Sequence, residues 1–368
     1  MRALEWITVG LGLLMVAGTL LSLHRSPHWL VRLWDFPRVQ IAAVAAASGA
    51  LYAALFFRGG ATGWGFLGAV LLCLLWQGRK IYPYTPLASC QVERSTRPAE
   101  DRASFRLLIS NVLMENQEHG RLLRVIREAD PDLVLAVETD DAWARALEPL
   151  SADYPYAVRH PRDNYYGLML FSRLPLVEPR VEFLVQDDIP SVHTAFDLPG
   201  GERVYLHGIH PRPPEPIRDQ DSTPRDAELV LVGRAIADAG SRPTVVAGDL
   251  NDVAWSPTTE LFLRLSGLLD PRMGRGFYNS FNAKNPLFRY PLDHVFHSNH
   301  FRLVELRRLP AVGSDHFPML VELSYEPDTA QPEQPPLEQR EKDREEADEK
   351  VEEQAEAART GDDRPGRE

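Results

Sequence analysis

Two short segments in the second half of the sequence combine acidic, amide and imidazole side chains. They read GDLN at 248–251 and GSDHFP at 313–318, and each adjoins an apolar run that predicts a strand. Asp249 and Asn251 are two residues apart, so on an extended strand their side chains point to the same side. The second segment adds an Asp-His pair, which supplies another carboxylate and a group that transfers protons near neutral pH. These residue types suit metal-assisted hydrolysis of a phosphoester.

The same arrangement of a polar residue at the end of an apolar run recurs along the sequence. It is found at Asn111, Glu138, His210, Asp249, Asp293-His294 and Asp315-His316. Each position alone is weak evidence, because a Glu after a strand is often a helix cap and a His before Pro is often part of a turn. Buried carboxylates and imidazoles are costly unless they are paired or bound to a metal. A set that converges on one sheet edge therefore predicts a site.

The elements that must position these residues are predicted from apolar spacing between about residues 104 and 324. Strands are predicted at 105–113, 133–137, 166–172, 192–198, 204–209, 244–248, 292–297 and 317–323, and helices at 121–129 and 225–239. This repeating order, with several hairpin-like strand pairs, favours an α/β fold of packed sheets covered by helices.

The first 80 residues have a different character. Three stretches without charged residues, Trp6–Leu23, Val39–Phe57 and Gly59–Gly78, each approach the roughly 20 apolar residues that cross a bilayer. We expect three transmembrane helices and a multi-pass location in the cell membrane. The alternative is a signal anchor followed by a buried helical hairpin.

Three spans would place the rest of the chain on the side opposite Met1. The basic residues on that side are Arg25, Arg32, Arg38, Arg79 and Lys80, against Arg2 and Arg58 on the other. This bias favours a cytoplasmic location for the remaining chain. The alternative is an interfacial amphipathic segment between the first two spans, whose arginines bind lipid headgroups.

Two segments flank the predicted catalytic domain at 104–324. Residues 81–103 contain three prolines, lack apolar periodicity and are interpreted as a linker. Residues 325–368 carry 7 Lys/Arg against 16 Asp/Glu and almost no large apolar residues, a composition that predicts disorder. A transient helix around 341–358 and a docking tail are the alternatives.

The two cysteines, Cys73 and Cys90, lie outside 104–324, which excludes a thiol nucleophile or a cysteine zinc site there.

The motifs taken together resemble the endonuclease/exonuclease/phosphatase superfamily, the group of deoxyribonuclease I, exonuclease III, the inositol polyphosphate 5-phosphatases and the neutral sphingomyelinases. The matching segments are SNV at 110–112, PDLV at 131–134 followed by Glu138, GL at 167–168, SRLPL at 172–176, HP at 210–211, GDLN at 248–251, LDHV at 292–295 and SDHFP at 314–318. They extend over the whole of 104–324 and indicate a membrane-anchored member of bacterial type.

The resemblance implies a four-layer sandwich, in which two packed mixed β-sheets are flanked by helices, with the site at one edge of the sheets. It implies Mg²⁺ or Mn²⁺, held by Glu138 with Asn111 close by and Asp315 as a further ligand. It assigns catalytic roles to His210, Asp249, Asn251, Asp293 and His316. Asp249 is the base that orients water, and His316, oriented by Asp293, binds the phosphate or transfers a proton. His210 would contact the phosphate.

Two positions depart from the pattern of the superfamily. Leu113 stands where some nucleases carry an Asp, and Val137 stands where a Gln commonly precedes the metal-binding Glu. The first departure argues against a close relative of exonuclease III. Neither removes a residue that the implied mechanism requires.

The sequence leaves two classes of substrate open, nucleic acid and phospholipid. A nuclease normally offers a basic groove to the phosphate backbone, whereas residues 101–324 carry 24 Lys/Arg against 32 Asp/Glu. Arg272, Arg275, Lys284 and Arg289 form either a phosphate-binding loop or a solvated one. The apolar spans suit a phospholipid better than DNA or RNA. A membrane-tethered nuclease and a non-catalytic binding protein that retains the fold are the alternatives, and no protein partner is predicted.

Overall fold

A computed structural model describes residues 1–98, 103–214 and 221–360. Its helices are α1 (Arg2–Leu21), α2 (Trp29–Arg32), α3 (Arg38–Leu55), α4 (Gly60–Ile81), α5 (His119–Ala129), α6 (Asp141–Leu147), α7 (Thr223–Asp238), α8 (Pro257–Ser266), α9 (Pro327–Glu333) and α10 (Asp343–Thr360). Its strands are β1 (Ser104–Asn111), β2 (Leu133–Val137), β3 (Tyr156–His160), β4 (Leu168–Ser172), β5 (Leu176–Glu182), β6 (Ser191–Asp197), β7 (Arg203–Gly208), β8 (Thr244–Asp249), β9 (Asp293–His297), β10 (Phe301–Arg308) and β11 (Met319–Tyr325).

The strands form two mixed sheets that pack face to face. The first sheet has the order β10-β11-β1-β2-β4-β3 and the second has the order β5-β6-β7-β8-β9. Alternate residues of β1, such as Phe105 and Leu107, meet Phe196 and Leu206 of the second sheet in the core between them. Helices α5 and α6 cover the outer face of the first sheet, and α7 and α8 cover part of the outer face of the second. The predicted four-layer sandwich is confirmed.

The elements missed by periodicity include three of the four edge strands, β3, β5 and β10. Along β3 and β5 most side chains are exposed or half-buried, so neither strand shows a sustained apolar alternation. Edge strands have one free side and need fewer apolar residues. Helices α6 and α8 also lie outside the predicted segments.

Three long apolar helices precede the sandwich. Helices α1, α3 and α4 are long and apolar enough to cross a membrane, by length and composition. They pack on one another around Ile41, Ala45, Phe66 and Val70. Large apolar side chains remain exposed on their outer surface, as the 69% exposure of Leu72 illustrates. Such a surface is expected where lipid rather than water is the solvent.

The segment predicted as a linker is integrated into the fold over its described residues. Tyr84 donates a hydrogen bond to the carbonyl oxygen of Ala254 at 2.7 Å, and Val92 is fully buried between the two sheets. Residues 99–102 of the predicted linker lie outside the described residues. The prolines therefore shape a packed connection rather than a free one.

The structure differs from the disorder predicted for the tail, because the tail contains helix α10 at Asp343–Thr360. Ala347 packs with Val230 and Leu261. Asp343 accepts two hydrogen bonds from the Arg264 guanidinium, at 2.8 and 2.9 Å. The tail lacks a core of its own, but its few apolar and charged side chains are complementary to the surface of α7 and α8. Residues 361–368 of the predicted disorder lie outside the described residues.

The apolar helices are attached to the sandwich by specific contacts. Trp255 Nε1 donates to the backbone oxygen of Asp35 at 2.8 Å, and the rings of Phe36 and Tyr290 lie 5.7 Å apart. The Asp35 carboxylate pairs with Arg32 at 3.1 Å and with Arg38 at 2.6 Å, and all three side chains are buried. These two arginines therefore bind Asp35 and not lipid headgroups, contrary to the alternative considered for this segment.

Candidate active site

The predicted site residues come together because the ends of neighbouring strands meet at one edge of the sandwich. In the first sheet, Asn111 of β1 pairs with Val137 of the parallel strand β2, and Glu138 follows directly. In the second sheet, Asp249 of β8 is opposite Asp293 of the antiparallel strand β9. His210 lies just after β7, which is parallel to β8, and His316 lies just before β11, the neighbour of β1.

Gly248 allows the chain ends of β7 and β8 to approach closely. Its φ is +145°, a backbone conformation that residues with a side chain rarely adopt. A Cβ atom there would lie 1.9 Å from the backbone oxygen of Ile209. The glycine of GDLN is therefore required to bring Asp249 beside His210, whose Nε2 lies 3.9 Å from Asp249 Oδ2.

Two site residues have left-handed backbone conformations directly at strand ends. The φ angles are +62° at Glu138 and +51° at Asn251. Such conformations cost free energy in residues other than glycine and concentrate at functional sites. At Asn251 the turn is stabilised because its backbone N–H donates to Asp249 Oδ1 at 2.9 Å. Its side-chain amide donates to the oxygen of Pro211 at 3.0 Å.

Asn111 connects the carboxylates of the two sheets. Its Nδ2 donates to Glu138 Oε1 at 2.6 Å and to Asp249 Oδ2 at 3.0 Å. Its Oδ1 accepts from the backbone N–H of Leu113 at 3.0 Å. Burial raises the pKa of Glu138 to about 7, although the hydrogen bond from Asn111 opposes that rise. Within the described part of the chain, the buried Oε2 of Glu138 has no hydrogen-bond partner.

His316 lies between two carboxylates. Its Nδ1 is 2.7 Å from Asp293 Oδ2, and its Nε2 is 3.5 Å from Asp249 Oδ2. Burial lowers the pKa of His316, but the negative charges of Asp293 and Asp249 oppose that effect and raise it to about 10. The ring is therefore held as a cation, with the proton on Nδ1 directed at Asp293. Burial raises the pKa of Asp249, which makes this carboxylate a better proton acceptor.

His210 is neutral, in contrast to His316. Burial lowers its pKa to about 4, since the Asp249 charge compensates only partly. Its ring is 5.4 Å from the ring of Tyr166. The buried Nδ1 has no hydrogen-bond partner among the residues that the structure describes.

These side chains fit a divalent cation. Ligand atoms of Glu138, His210 and Asp249 all lie within 4.8 Å of one another, and so do those of Asp249, Asp293 and His316. Among the residues that the structure describes, the buried Oε2 of Glu138 and Oδ1 of Asp293 have no hydrogen-bond partner, and a cation would be expected to satisfy such oxygens. Hard cations such as Mg²⁺ favour carboxylate oxygens and water, so Glu138 is the best candidate ligand.

Two residues predicted as metal ligands have different surroundings. Asn111 directs its amide hydrogens at Glu138 and Asp249, which gives it the geometry of a positioning residue. Asp315 is half-buried and belongs to neither group of clustered ligand atoms; its Oδ1 accepts from the Ser314 hydroxyl at 3.4 Å. His294 points away from the site, since its Nδ1 is 2.6 Å from Arg272 Nη2.

Sequence reasoning missed Arg225, which is fully buried below the site. Its Nη1 donates to the backbone oxygen of Asn251 at 2.9 Å, and its Nη2 lies 2.8 Å from Asp226 and 3.5 Å from Asp252. In sequence, Arg225 looks like an ordinary charge in the first turn of a helix. The only hints in the sequence were two acidic residues, Asp226 directly after Arg225 and Asp252 directly after GDLN.

The four basic residues between the two motifs do not form one phosphate-binding loop. Arg272 is buried and pairs with Asp270 at 2.7 Å, and Arg275 donates to the backbone oxygens of Pro271 and Val92. Lys284 is exposed and Arg289 is half-buried in the segment that follows.

The family model described as Endonuclease/Exonuclease/phosphatase family matches residues 108–316. That range contains every site residue considered above, so the chain belongs to this family. A search of curated proteins found no match.

Solved structures share the fold at low sequence identity. The catalytic domain of human Nocturnin with bound sulfate is 17% identical, with a TM-score of 0.50, and the match covers 61% of this chain and 95% of that one. An endonuclease/exonuclease/phosphatase from Bacteroides vulgatus is 18% identical, with a TM-score of 0.50, and the match covers 61% of this chain and 99% of that one. These likenesses concern the fold alone.

Proposed function

We propose that this protein is a membrane-anchored, divalent-metal-dependent phosphoester hydrolase. The observation that carries the proposal is the buried chain Asp293–His316–Asp249 beside an unpartnered oxygen of Glu138. A cationic imidazole, a carboxylate that accepts protons readily and an oxygen free to bind a cation are the groups that phosphoester hydrolysis requires. The family to which the chain belongs supports this class of reaction.

The residues divide the reaction between them. Asp249 orients the attacking water and accepts its proton as the water oxygen bonds to phosphorus. The bond between phosphorus and the leaving alcohol breaks, and the leaving oxygen takes a proton from His316 or from water. His316, oriented by Asp293, also attracts the phosphoryl oxygens, while Asn251 and His210 contact the phosphate. Glu138 would hold Mg²⁺ or Mn²⁺, which would neutralise charge that develops on the phosphate.

The test uses the full chain in detergent with bis-p-nitrophenyl phosphate as substrate, with Mg²⁺, with Mn²⁺ and with EDTA. We expect turnover with either metal and none with EDTA. Asp249→Ala should lower kcat by about 10²-fold or more, because general acid–base groups contribute factors of this size. Asp238→Ala removes an exposed carboxylate at the end of α7 and serves as the matched control. Equal metal-independent rates in the wild type and Asp249→Ala would favour the non-catalytic alternative.

We also propose that the catalytic domain lies in the cytoplasm. The count of basic residues supports this orientation, with Arg25, Arg32, Arg38, Arg79 and Lys80 on the domain side of the helices against Arg2 and Arg58 on the other. Cys90 is exposed, whereas Cys73 is buried, so a membrane-impermeant maleimide can report the location of Cys90. We expect labelling only after the cells are permeabilised, and none in a Cys90→Ser control. Labelling in intact cells would place the domain outside.

A further inference from the structure

The loop at residues 282–289 projects two adjacent apolar side chains from the catalytic domain. Leu287 is 73% exposed and Phe288 is 52% exposed. Among large apolar side chains in the described residues 103–214 and 221–360, these two are the most exposed. Burying them in an apolar environment would be favourable, so their exposure to water requires an explanation.

The tip of this loop contacts one of the three apolar helices. Gln40 Nε2 donates to the backbone oxygen of Leu287 at 2.8 Å. Gln40 is the third residue of α3, so it lies within about 5 Å of the start of that helix along its axis. The loop tip is therefore at the level where α3 would enter a bilayer.

Basic side chains lie on this loop and next to its base. Lys284 is exposed, and the guanidinium groups of Arg289 and Arg308 lie 5.0 and 4.4 Å from the ring centre of Phe317. Near an anionic membrane surface, such cations are attracted to the lipid headgroups. An apolar tip with basic flanks is the combination expected of a segment at a lipid interface.

The base of the same loop belongs to the wall of the active site. The ring of Phe281, directly before the loop, is 5.0 Å from the ring of His316. The backbone N–H of Ala283 donates to the backbone oxygen of Asp315 at 2.6 Å. Three residues separate Ala283 from Leu287, so one short loop connects His316 with the start of α3.

We propose that the 282–289 loop enters the headgroup layer of the membrane and holds the active site against it. The substrate is then a phosphoester in the headgroup of a membrane lipid and not a nucleic acid. The exposed patch formed by Leu287 and Phe288 is covered by the bilayer itself, because this patch continues the surface formed by the three apolar helices. The choice of substrate rests on the proposed function, whereas the position of the loop does not.

The position of the loop is tested by a fluorescent probe in the full chain. A single cysteine is placed at Leu287→Cys in a Cys73→Ala, Cys90→Ser background, labelled with nitrobenzoxadiazole and reconstituted in vesicles of phosphatidylcholine and phosphatidylglycerol. We expect spin-labelled lipid to quench more than about half of the emission. The control is Tyr156→Cys, on edge strand β3 at the end remote from Asn111 and also partly exposed, at 40%. Equal quenching at the two positions would overturn the proposal.

The substrate class is tested by the ratio of two rates in the full chain. One rate is release of phosphorylated or free headgroup from the same vesicles, and the other is hydrolysis of soluble bis-p-nitrophenyl phosphate. We expect Leu287→Ser with Phe288→Ser to lower this ratio about tenfold, a loss of roughly 1.4 kcal/mol, and Tyr156→Ser to leave it unchanged.

The outcomes separate the two proposals. If the wild type hydrolyses neither substrate, the proposed function fails while the probe still decides the position of the loop. If it hydrolyses plasmid DNA but no lipid, or if the loop variant leaves the ratio unchanged, the assignment of a lipid substrate is overturned.

Discussion

Individual residues at the site differ in what their surroundings equip them to do. Glu138 and Asp315 were both predicted to bind metal, yet they lie in different environments. Glu138 has a buried oxygen without a partner within the described residues, whereas the half-buried Asp315 is absent from both clusters of ligand atoms. The arrangement therefore points to Glu138 as the stronger ligand.

Removing the two carboxylates should accordingly affect metal affinity unequally. We expect Glu138→Ala to weaken Mn²⁺ binding by about 10²-fold, since a directly coordinating carboxylate is lost, and Asp315→Ala to weaken it less than about 10-fold. Isothermal titration calorimetry of the purified chain with Mn²⁺ measures both affinities. Equal losses would show that Asp315 coordinates the ion as strongly as Glu138 does.

At the scale of elements, helix α7 carries a buried acid that the active site does not use. Burial raises the pKa of Glu228 to about 8, against about 4.3 in an unfolded chain. The folded state binds the extra proton between these values, so the free energy of unfolding falls as pH rises through this window. The full penalty, about 5 kcal/mol, is present above about pH 8.

Replacing Glu228 by Gln should therefore stabilise the protein in a pH-dependent way. We expect Glu228→Gln to raise the midpoint of thermal unfolding at pH 9 and to change it little at pH 4. The exposed Glu352→Gln on α10 is the control, with no such pH dependence. Scanning fluorimetry in detergent from pH 4 to 9 measures the effect. A pH-independent difference between Glu228→Gln and the wild type would contradict the assignment.

Helix α10 is also linked to the active site through charged residues. Lys350 donates to Asp226 at 2.7 Å, Asp226 pairs with Arg225, and Arg225 donates to the backbone oxygen of Asn251. The Lys350 ammonium and the Arg225 guanidinium, although burial opposes them, hold the pKa of Asp226 well below its usual range.

Breaking this link should affect both stability and the geometry at Asn251. We expect Lys350→Met to lower the free energy of unfolding by about 1–3 kcal/mol, because Asp226 remains buried with one partner fewer. Lys342→Gln, an exposed lysine just before the helix, should change it by less than about 0.5 kcal/mol. Chemical denaturation measures the difference, and equal effects for the two variants would show that the pair contributes nothing.

At the scale of the whole molecule, the catalytic domain is completed by chain segments on both sides of 104–324. Val92 lies between the sheets, and Gln334 Nε2 donates to the backbone oxygen of Phe301 at 2.8 Å. Trp255 bonds to Asp35 in the segment between α1 and α3. The domain boundaries predicted from composition therefore cut through packed contacts.

A fragment limited to 104–324 should for this reason be less stable than one that spans 82–360. We expect the short fragment to lose at least about 2–5 kcal/mol, since removal of a large core side chain alone costs this much. Urea unfolding of the two fragments measures the difference. Similar midpoints would mean that the flanking segments pack without stabilising the sandwich.

The sequence alone predicted the sandwich, the three apolar helices and the strand-end side chains that the structure brings together. Strand-end polar side chains such as Asn111, Glu138 and Asp249 were recognisable because the ends of neighbouring strands meet at one edge of a sheet. The tertiary structure decided what depends on contacts between distant segments: the burial of Arg225, the order of the acidic tail, and the position of the 282–289 loop beside α3. Burial, pairing of charges and proximity across the fold depend on surroundings that no local pattern specifies. This is why Arg225 looked like a surface charge and Leu287 like part of an ordinary loop.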